Sequence, residues 1–323
     1  MTLEFPGVSF LAGGLKYRQP TGRLIPSASV MRIPLGDLTL HLVSDGGFGL
    51  DGGAMFGVVP RTLWSRERPP DDANRIRMAT NCVLVECGSE LVLVDTGIGD
   101  KGDERLRSIF AMEEGAVRLP ESIRAAGFAP GDVTHVLLTH LHFDHCGWNT
   151  RRDGDRFVAT FPNARYWFER GELEHARSPN ERDRASYDPR NWEPVVDAGQ
   201  AELFDDLAEP VRGVRAVKAP GHNRDMCIVL FDGGDGGDGG GGDGGAASRA
   251  VFWADLVPTA SHVPYPWIMG YDLYPLTTLE NKKLWLPRAA EGGWLSIFEH
   301  DPDVPLARLV ADRPGRYRAE PVV

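Results

Sequence analysis

The chain has 323 residues, 42% of them hydrophobic, which is enough for one large or two ordinary domains with a sizeable core and excludes disorder throughout. Lys and Arg total 35 against 46 Asp and Glu, a formal charge of −11 with no long basic run, so no nucleic-acid partner is expected. The four cysteines are scattered without CxxC pairs, and neither a leader pattern nor a run of about 18 apolar residues occurs, so a cytoplasmic protein without a membrane partner is expected.

Residues 1–28 are rich in Gly, Pro and polar residues and read as an N-terminal arm, with a single domain over 29–323. Met31 to Ser44 alternates apolar positions and predicts a strand, after which DGGFGLDGGAMFGVVP predicts a long flexible overhang. Cys82–Glu86 and Leu91–Val94, separated by CGSE, predict a hairpin ending in Asp95-Thr96-Gly97. A helix is expected between Leu119 and Gly127, then a strand over Val133–Thr139 that runs straight into HLHFDHCG. Residues 165–207 read as a short strand followed by helical segments. Val214–Ala219 and Met226–Phe231 read as strands turning through Pro220-Gly221-His222. GGDGGDGGGGDGG, residues 233–245, brings no apolar area and is expected to be a lengthened surface hairpin before a strand at Ala250–Trp253. A helix over about 278–290, with Thr277-x-x-Glu280 as a capping box, precedes a last strand at Trp294–Phe298 that delivers Glu299-His300-Asp301.

The cluster His140, His142, Asp144, His145 has the form H-x-H-x-D-H, which composition alone would produce in about one such chain in a thousand. On a loop leaving a strand's C-terminal end, alternate residues face one side. His140 and His142 can therefore approach one ion while Asp144 and His145 turn towards a second. Imidazole nitrogen and carboxylate oxygen are the donors that zinc takes in catalytic sites, where a position stays open for water.

Five segments together carry a resemblance to a known family. THLHFDHCG, PGH at 220–222, FWAD at 252–255, FEHD at 298–301 and VDTG at 94–97 occur in the order found in the metallo-β-lactamase superfamily, and the chain most resembles its lactonase and glyoxalase II branch. The resemblance implies an α/β fold of the αββα sandwich type, two mixed β-sheets packed face to face with helices outside. It implies that His140, His142 and His222 bind one divalent ion and Asp144, His145 and His300 another, with Asp255 bridging the two. Zn2+ is the expected metal, with Mn2+ or Fe2+ as alternatives. Asp144 and Asp255 would be the catalytic carboxylates, around a hydroxide shared by the ions, and Asp95 would orient the histidine loop without touching metal.

The same resemblance implies a hydrolase acting on a small ester-like substrate, lactone or carboxylic ester first, and a homodimer is compatible with it. Two alternatives stay open: a mononuclear-iron persulfide dioxygenase, and a phosphotriesterase or nuclease of the same fold. The departure that limits the substrate is Pro258, which stands where acyl-homoserine lactonases carry a tyrosine three residues after the bridging aspartate. Phe48, Met55, Phe56, His262 and Trp267 are candidates for an apolar, substrate-contacting wall.

Overall fold

The computed structural model describes residues 30–112, 115–116, 118–234, 248–313 and 315–322. The N-terminal arm 1–28 and positions 235–245 of the glycine-rich stretch lie outside the described residues. Among those described, the strands form two seven-stranded sheets and one two-stranded ribbon. The first sheet begins with β1 (Met31–Leu35), β2 (Leu38–Asp51), β3 (Arg75–Cys87) and β4 (Glu90–Val94), all antiparallel neighbours. It continues in parallel through β5 (His135–Leu137), β8 (Arg165–Glu169) and β9 (Ala201–Phe204), while β6 (Thr150–Asp153) and β7 (Arg156–Ala159) make the separate ribbon. The second sheet runs β10 (Leu207–Val211), β11 (Val214–Lys218), β12 (Cys227–Asp232), β13 (Arg249–Phe252), β14 (Leu295–Ile297), β15 (Leu306–Arg313) and β16 (Arg316–Pro321). Only its β13–β14 pair is parallel, so both sheets are mixed.

Period-two alternation explains the layering. On β3 and β4, Val83, Val85, Val92 and Val94 share one core with Val229, Phe231, Val251 and Ile297 of the second sheet. The residues between them, Cys82, Leu84, Leu91 and Leu93, face the other way into a second core. There they meet α4 (Leu119–Ala125), α5 (Arg170–Arg177) and α6 (Glu193–Asp197) through Leu119, Ile123, Leu173 and Val195. The second sheet is backed by α7 (Pro275–Glu291), whose Trp285, Leu286 and Ala289 join the first core. This is the αββα sandwich. A third, smaller apolar cluster draws on α1 (Gly52–Phe56) and α2 (Arg61–Glu67), and α3 (Glu104–Ile109) is a short exposed helix.

Three expectations are corrected. The stretch after Ser44 is not a flexible overhang: β2 continues to Asp51 and pairs with a β3 that begins at Arg75. The glycines are absorbed by a bulge at Ser44–Gly47, where Gly46 takes φ 91°, a left-handed conformation that other residues rarely adopt. In turn α7 starts three residues earlier than expected, with Pro275 in its first turn and no side-chain cap, so the Thr277–Glu280 box does not form. Finally, Trp294–Phe298 is not the last strand. The β15–β16 hairpin follows it and completes the sheet, its polar outward residues having hidden the alternation.

Candidate metal centre

Parallel pairing brings strand ends to one edge. The ends of β4 and β5 lie side by side in the first sheet, as do those of β13 and β14 in the second. The loop after β5 carries His140, His142, Asp144 and His145. The β11–β12 turn carries His222, the end of β13 leads to Asp255, and the end of β14 leads to His300. Two glycines allow the close approaches this requires. A Cβ on Gly147 would lie 2.0 Å from the backbone of Ile98, and one on Gly221, at φ 152°, would lie 2.3 Å from Thr278 Oγ1.

All seven expected ligands converge. His140, His142, His222 and Asp255 form one group, and Asp144, His145 and His300 a second, with the ligand atoms of each group within 4.8 Å of one another. Asp255 sits between them: its Oδ2 is 3.1 Å from His222 Nε2, 3.6 Å from His145 Nε2 and 3.8 Å from His140 Nε2. Its Oδ1 is 3.1 Å from His300 Nε2. Nitrogen faces nitrogen at 3.0 Å between His222 Nε2 and His142 Nδ1, and at 3.3 Å between His300 Nε2 and His145 Nε2. Donors held about 2.1 Å from a tetrahedral zinc ion are about 3.4 Å apart, so these spacings suit shared cations.

The chemistry of the donors agrees. His140 Nε2 and Asp255 Oδ1 are buried and take part in no hydrogen bond, a costly state unless a ligand satisfies them. Burial first, and neighbouring imidazoles second, hold His140 and His142 well below the usual histidine range, so both rings offer free lone pairs. Burial works to raise the Asp255 carboxyl, but His222, His145 and His300 together outweigh it and keep it ionised.

The ring nitrogens that face away from the cluster are held individually. Thr139 Oγ1 donates to Asp95 Oδ2 at 2.6 Å and so must accept from His140 Nδ1, 3.1 Å away, which fixes the lone pair on Nε2. Asp95 Oδ1 also accepts from Thr139 N at 2.8 Å, and its Oδ2 lies 3.0 Å from His145 Nδ1. Asp95 takes φ 54°, which turns its carboxylate back beneath the histidine loop. Glu299 Oε2 lies 2.9 Å from the same His145 Nδ1. His222 Nδ1 faces Asp272 Oδ1 at 3.1 Å, and His300 Nδ1 donates to the carbonyl of Ala79 at 2.8 Å.

Glu299 and Asp272 were not singled out from the sequence. Glu299 was within reach, since it belongs to FEHD, whereas Asp272 in YDLYP carries no local signal. Asp45 was missed as well. This fully buried carboxylate accepts from the amides of Ile98, Gly99 and Leu119 and from Trp148 Nε1, and so ties the 96–99 turn to the histidine loop.

Of the five wall candidates, Phe48, Met55, Phe56 and His262 are buried and Trp267 alone is partly exposed, so four of them are core packing. Phe48, Met55 and Phe56 are buried in one apolar cluster with Ile98 and Met269, and Trp267 packs against it. The Phe48 ring meets His300 edge-on at 5.8 Å, while Phe56 stacks on His262 at 4.7 Å and meets Trp267 edge-on at 5.5 Å. His262 is itself buried, with Nε2 donating to the carbonyl of Met55 at 2.9 Å, so it supports Phe56 from behind. Phe143, within the histidine loop, stacks on Phe110 at 5.0 Å, and both are partly exposed.

The chain is similar to known proteins. Residues 75–236, just over half of the chain, match the family model described as the metallo-beta-lactamase superfamily. A probable metallo-hydrolase of Mycobacterium tuberculosis is 27% identical over 290 residues, covering 78% of this chain and 86% of its own. An N-acyl homoserine lactonase of Agrobacterium fabrum is 29% identical over 167 residues, covering 48% of this chain and 59% of its own. Among solved structures, a probable metal-dependent hydrolase from Staphylococcus aureus superposes with a TM-score of 0.78 at 27% identity, over 90% of this chain and 100% of its own. The dizinc quorum-quenching lactonase AidC superposes with a TM-score of 0.72 over 91% of this chain and 98% of its own; at 21% identity it shows likeness of fold alone.

Proposed function

The chain belongs to the metallo-beta-lactamase superfamily, and from that premise we propose that it is a two-metal hydrolase of ester-like bonds in small molecules, lactones and carboxylic esters first. His140, His142 and His222 would hold one ion, Asp144, His145 and His300 the other, and Asp255 both. Divalent ions in such a site supply Lewis acidity and bring the pKa of a bound water towards neutrality, with zinc the first candidate. The observation that carries the reading is Asp255 lying 3.1–3.8 Å from the Nε2 atoms of four histidines contributed by three separate loops.

This chain's own groups have distinct tasks. Asp95 keeps the proton of His145 on Nδ1, with Glu299 alongside in no well-aligned hydrogen bond, and so leaves Nε2 free. Asp272 does the same for His222. Asp144, at the cluster's edge with Oδ2 3.8 Å from His300 Nε2, is placed to take a proton from water or hand one to a leaving group. The partly exposed Phe143, Phe110 and Trp267 offer an apolar side to a substrate, with the buried Phe48 and Phe56 packed behind them. Resemblance to acyl-homoserine lactonases supports a lactone. Pro258, in place of a tyrosine, leaves the acyl-oxygen contact to other groups. The four free cysteines suit a reducing compartment. No helix of the described residues is long and apolar enough to cross a membrane.

The test is a panel of lactones, aryl esters, thioesters and phosphotriesters assayed on metal-replete protein beside Asp255→Ala. Hydrolysis of lactones or esters that the variant loses by at least about a thousandfold supports the reading. One iron per chain with oxygen consumption, or activity untouched by Asp255→Ala, overturns it.

A further inference from the structure

Four of the five imidazole ligands have a hydrogen-bond partner on the ring nitrogen that faces away from the cluster: Thr139 for His140, Asp95 for His145, Asp272 for His222 and the carbonyl of Ala79 for His300. Each of these four turns Nε2 inwards. His142 is the exception. It presents Nδ1 to the cluster, 3.0 Å from His222 Nε2, and its own Nε2 is buried with no hydrogen bond among the described residues. What its ring meets outside the metal ligands is Tyr187, edge to face with the centroids 4.8 Å apart.

The residues on either side of His142 are tied to the same place. Leu141 N donates to Glu172 Oε1 at 2.9 Å, and Phe143 N donates to the carbonyl of Ser186 at 2.8 Å. Both contacts lead to Tyr187: Ser186 precedes it, and its hydroxyl donates to the same Glu172 Oε1 at 3.1 Å. Glu172 lies on α5 and is buried, so the phenol is anchored at a fixed point. The two backbone bonds fix the main chain of His142 but leave its ring free to turn. The last torsion of a histidine is broad and roughly two-fold, and half a turn would put a carbon where Nδ1 stands. At the other four ligands a hydrogen bond opposes that turn. At His142 the opposing contact is aromatic, and an edge-to-face pair is worth about as much as one ordinary hydrogen bond.

We propose that Tyr187 is a positioning residue for the ion held by His140, His142 and His222: its ring, anchored through Glu172, keeps His142 turned with Nδ1 towards that ion, the duty that a hydrogen bond performs at the other four histidines. The assignment rests on the two-metal reading above and not on which bond is cleaved.

The experiment loads wild type, Tyr187→Phe and Tyr187→Leu with zinc. It measures stoichiometry and stepwise affinity by competition with a chelator, and follows the imidazole nitrogens by NMR of labelled histidine. Expected for wild type are two zinc ions, with one imidazole bound through Nδ1 and protonated on Nε2. Tyr187→Leu should keep one ion at wild-type affinity and hold the other about tenfold more weakly, its release freeing the Nδ1-bound imidazole. Tyr187→Phe, which keeps the ring, should recover affinity to within about threefold. In Tyr187→Leu, equal weakening of both ions or of neither overturns the proposal. So does a Tyr187→Phe as weak as Tyr187→Leu, since the effect then lies in the Glu172 bond and not in the ring. Should Tyr187→Leu fail to fold, Tyr187→Phe decides: affinity within about threefold and a retained Nδ1-bound signal support the proposal, and a loss of about tenfold overturns it. A wild type with all its zinc-bound imidazoles coordinated through Nε2 overturns it as well. A wild type that binds no zinc overturns this role and the two-metal reading together. Zinc bound and released as described, without cleavage of any ester, supports the role of Tyr187 and overturns the hydrolase reading alone.

Discussion

The proton on His145 Nδ1 lies between two buried carboxylates, Asp95 at 3.0 Å and Glu299 at 2.9 Å, and the two are not equal. Asp95 accepts from Thr139 N and Oγ1 as well, while neither oxygen of Glu299 makes a hydrogen bond of good geometry. Asp95→Asn should therefore cost about 10–100-fold in metal affinity or activity, and Glu299→Gln markedly less, as read by competition with a chelator. His262 gives a pH signature. Burial, aided by the charges of Lys282 and Arg68, depresses it to about 3, so the folded chain keeps it neutral where the unfolded chain protonates it. Stability from this group is full above pH 6.5 and is lost as pH falls from 6.5 towards 3, by up to about 1.4 kcal/mol per pH unit. Thermal unfolding of metal-free protein should show that slope, and His262→Gln, whose amide can still donate to Met55, should flatten it. At this scale the proposed metal ligands were legible because four of them lie within six residues. Asp272 was not, because its partner His222 is fifty positions away.

Turns and strands carry their own expectations. The glycine-rich stretch links β12 and β13, which are antiparallel neighbours paired as far as Asp232 and Arg249. Replacing residues 235–246 with a two-residue turn should leave stability within about 0.5 kcal/mol, checked by thermal melting, because a segment of glycine, aspartate and one alanine has almost no apolar area to bury. Gly147→Ala is the contrasting case. Its added Cβ would meet the Ile98 backbone at 2.0 Å, and two packed loops would have to separate. A loss of about 2–3 kcal/mol with weakened metal binding is expected, measured by denaturant unfolding and metal titration. The central hairpin and the strand before the histidine loop could be read from β-branched runs, since both their faces are buried. The second half of β2 could not. Its glycines signal a loop locally, and only pairing with Arg75–Ala79 of β3 turns them into a strand.

For the whole molecule, the two sheets bury their shared core independently of the metal centre, which lies at one edge. Removal of metal should therefore leave a folded chain that is less stable, by about 4 kcal/mol relative to protein with metal at a thousand times its Kd. Circular dichroism after chelation should show strand content retained and a lower Tm. Loss of all structure would contradict this. Taken alone, the sequence carried the H-x-H-x-D-H cluster and the order of the strand-borne motifs, because both are local, and the sandwich followed from the family resemblance that those motifs bear. Tertiary structure alone decided which carboxylate steadies which histidine, and that Asp45 anchors the 96–99 turn. Each of those contacts joins elements brought together by sheet packing, and no short pattern along the chain encodes a neighbour that only folding supplies.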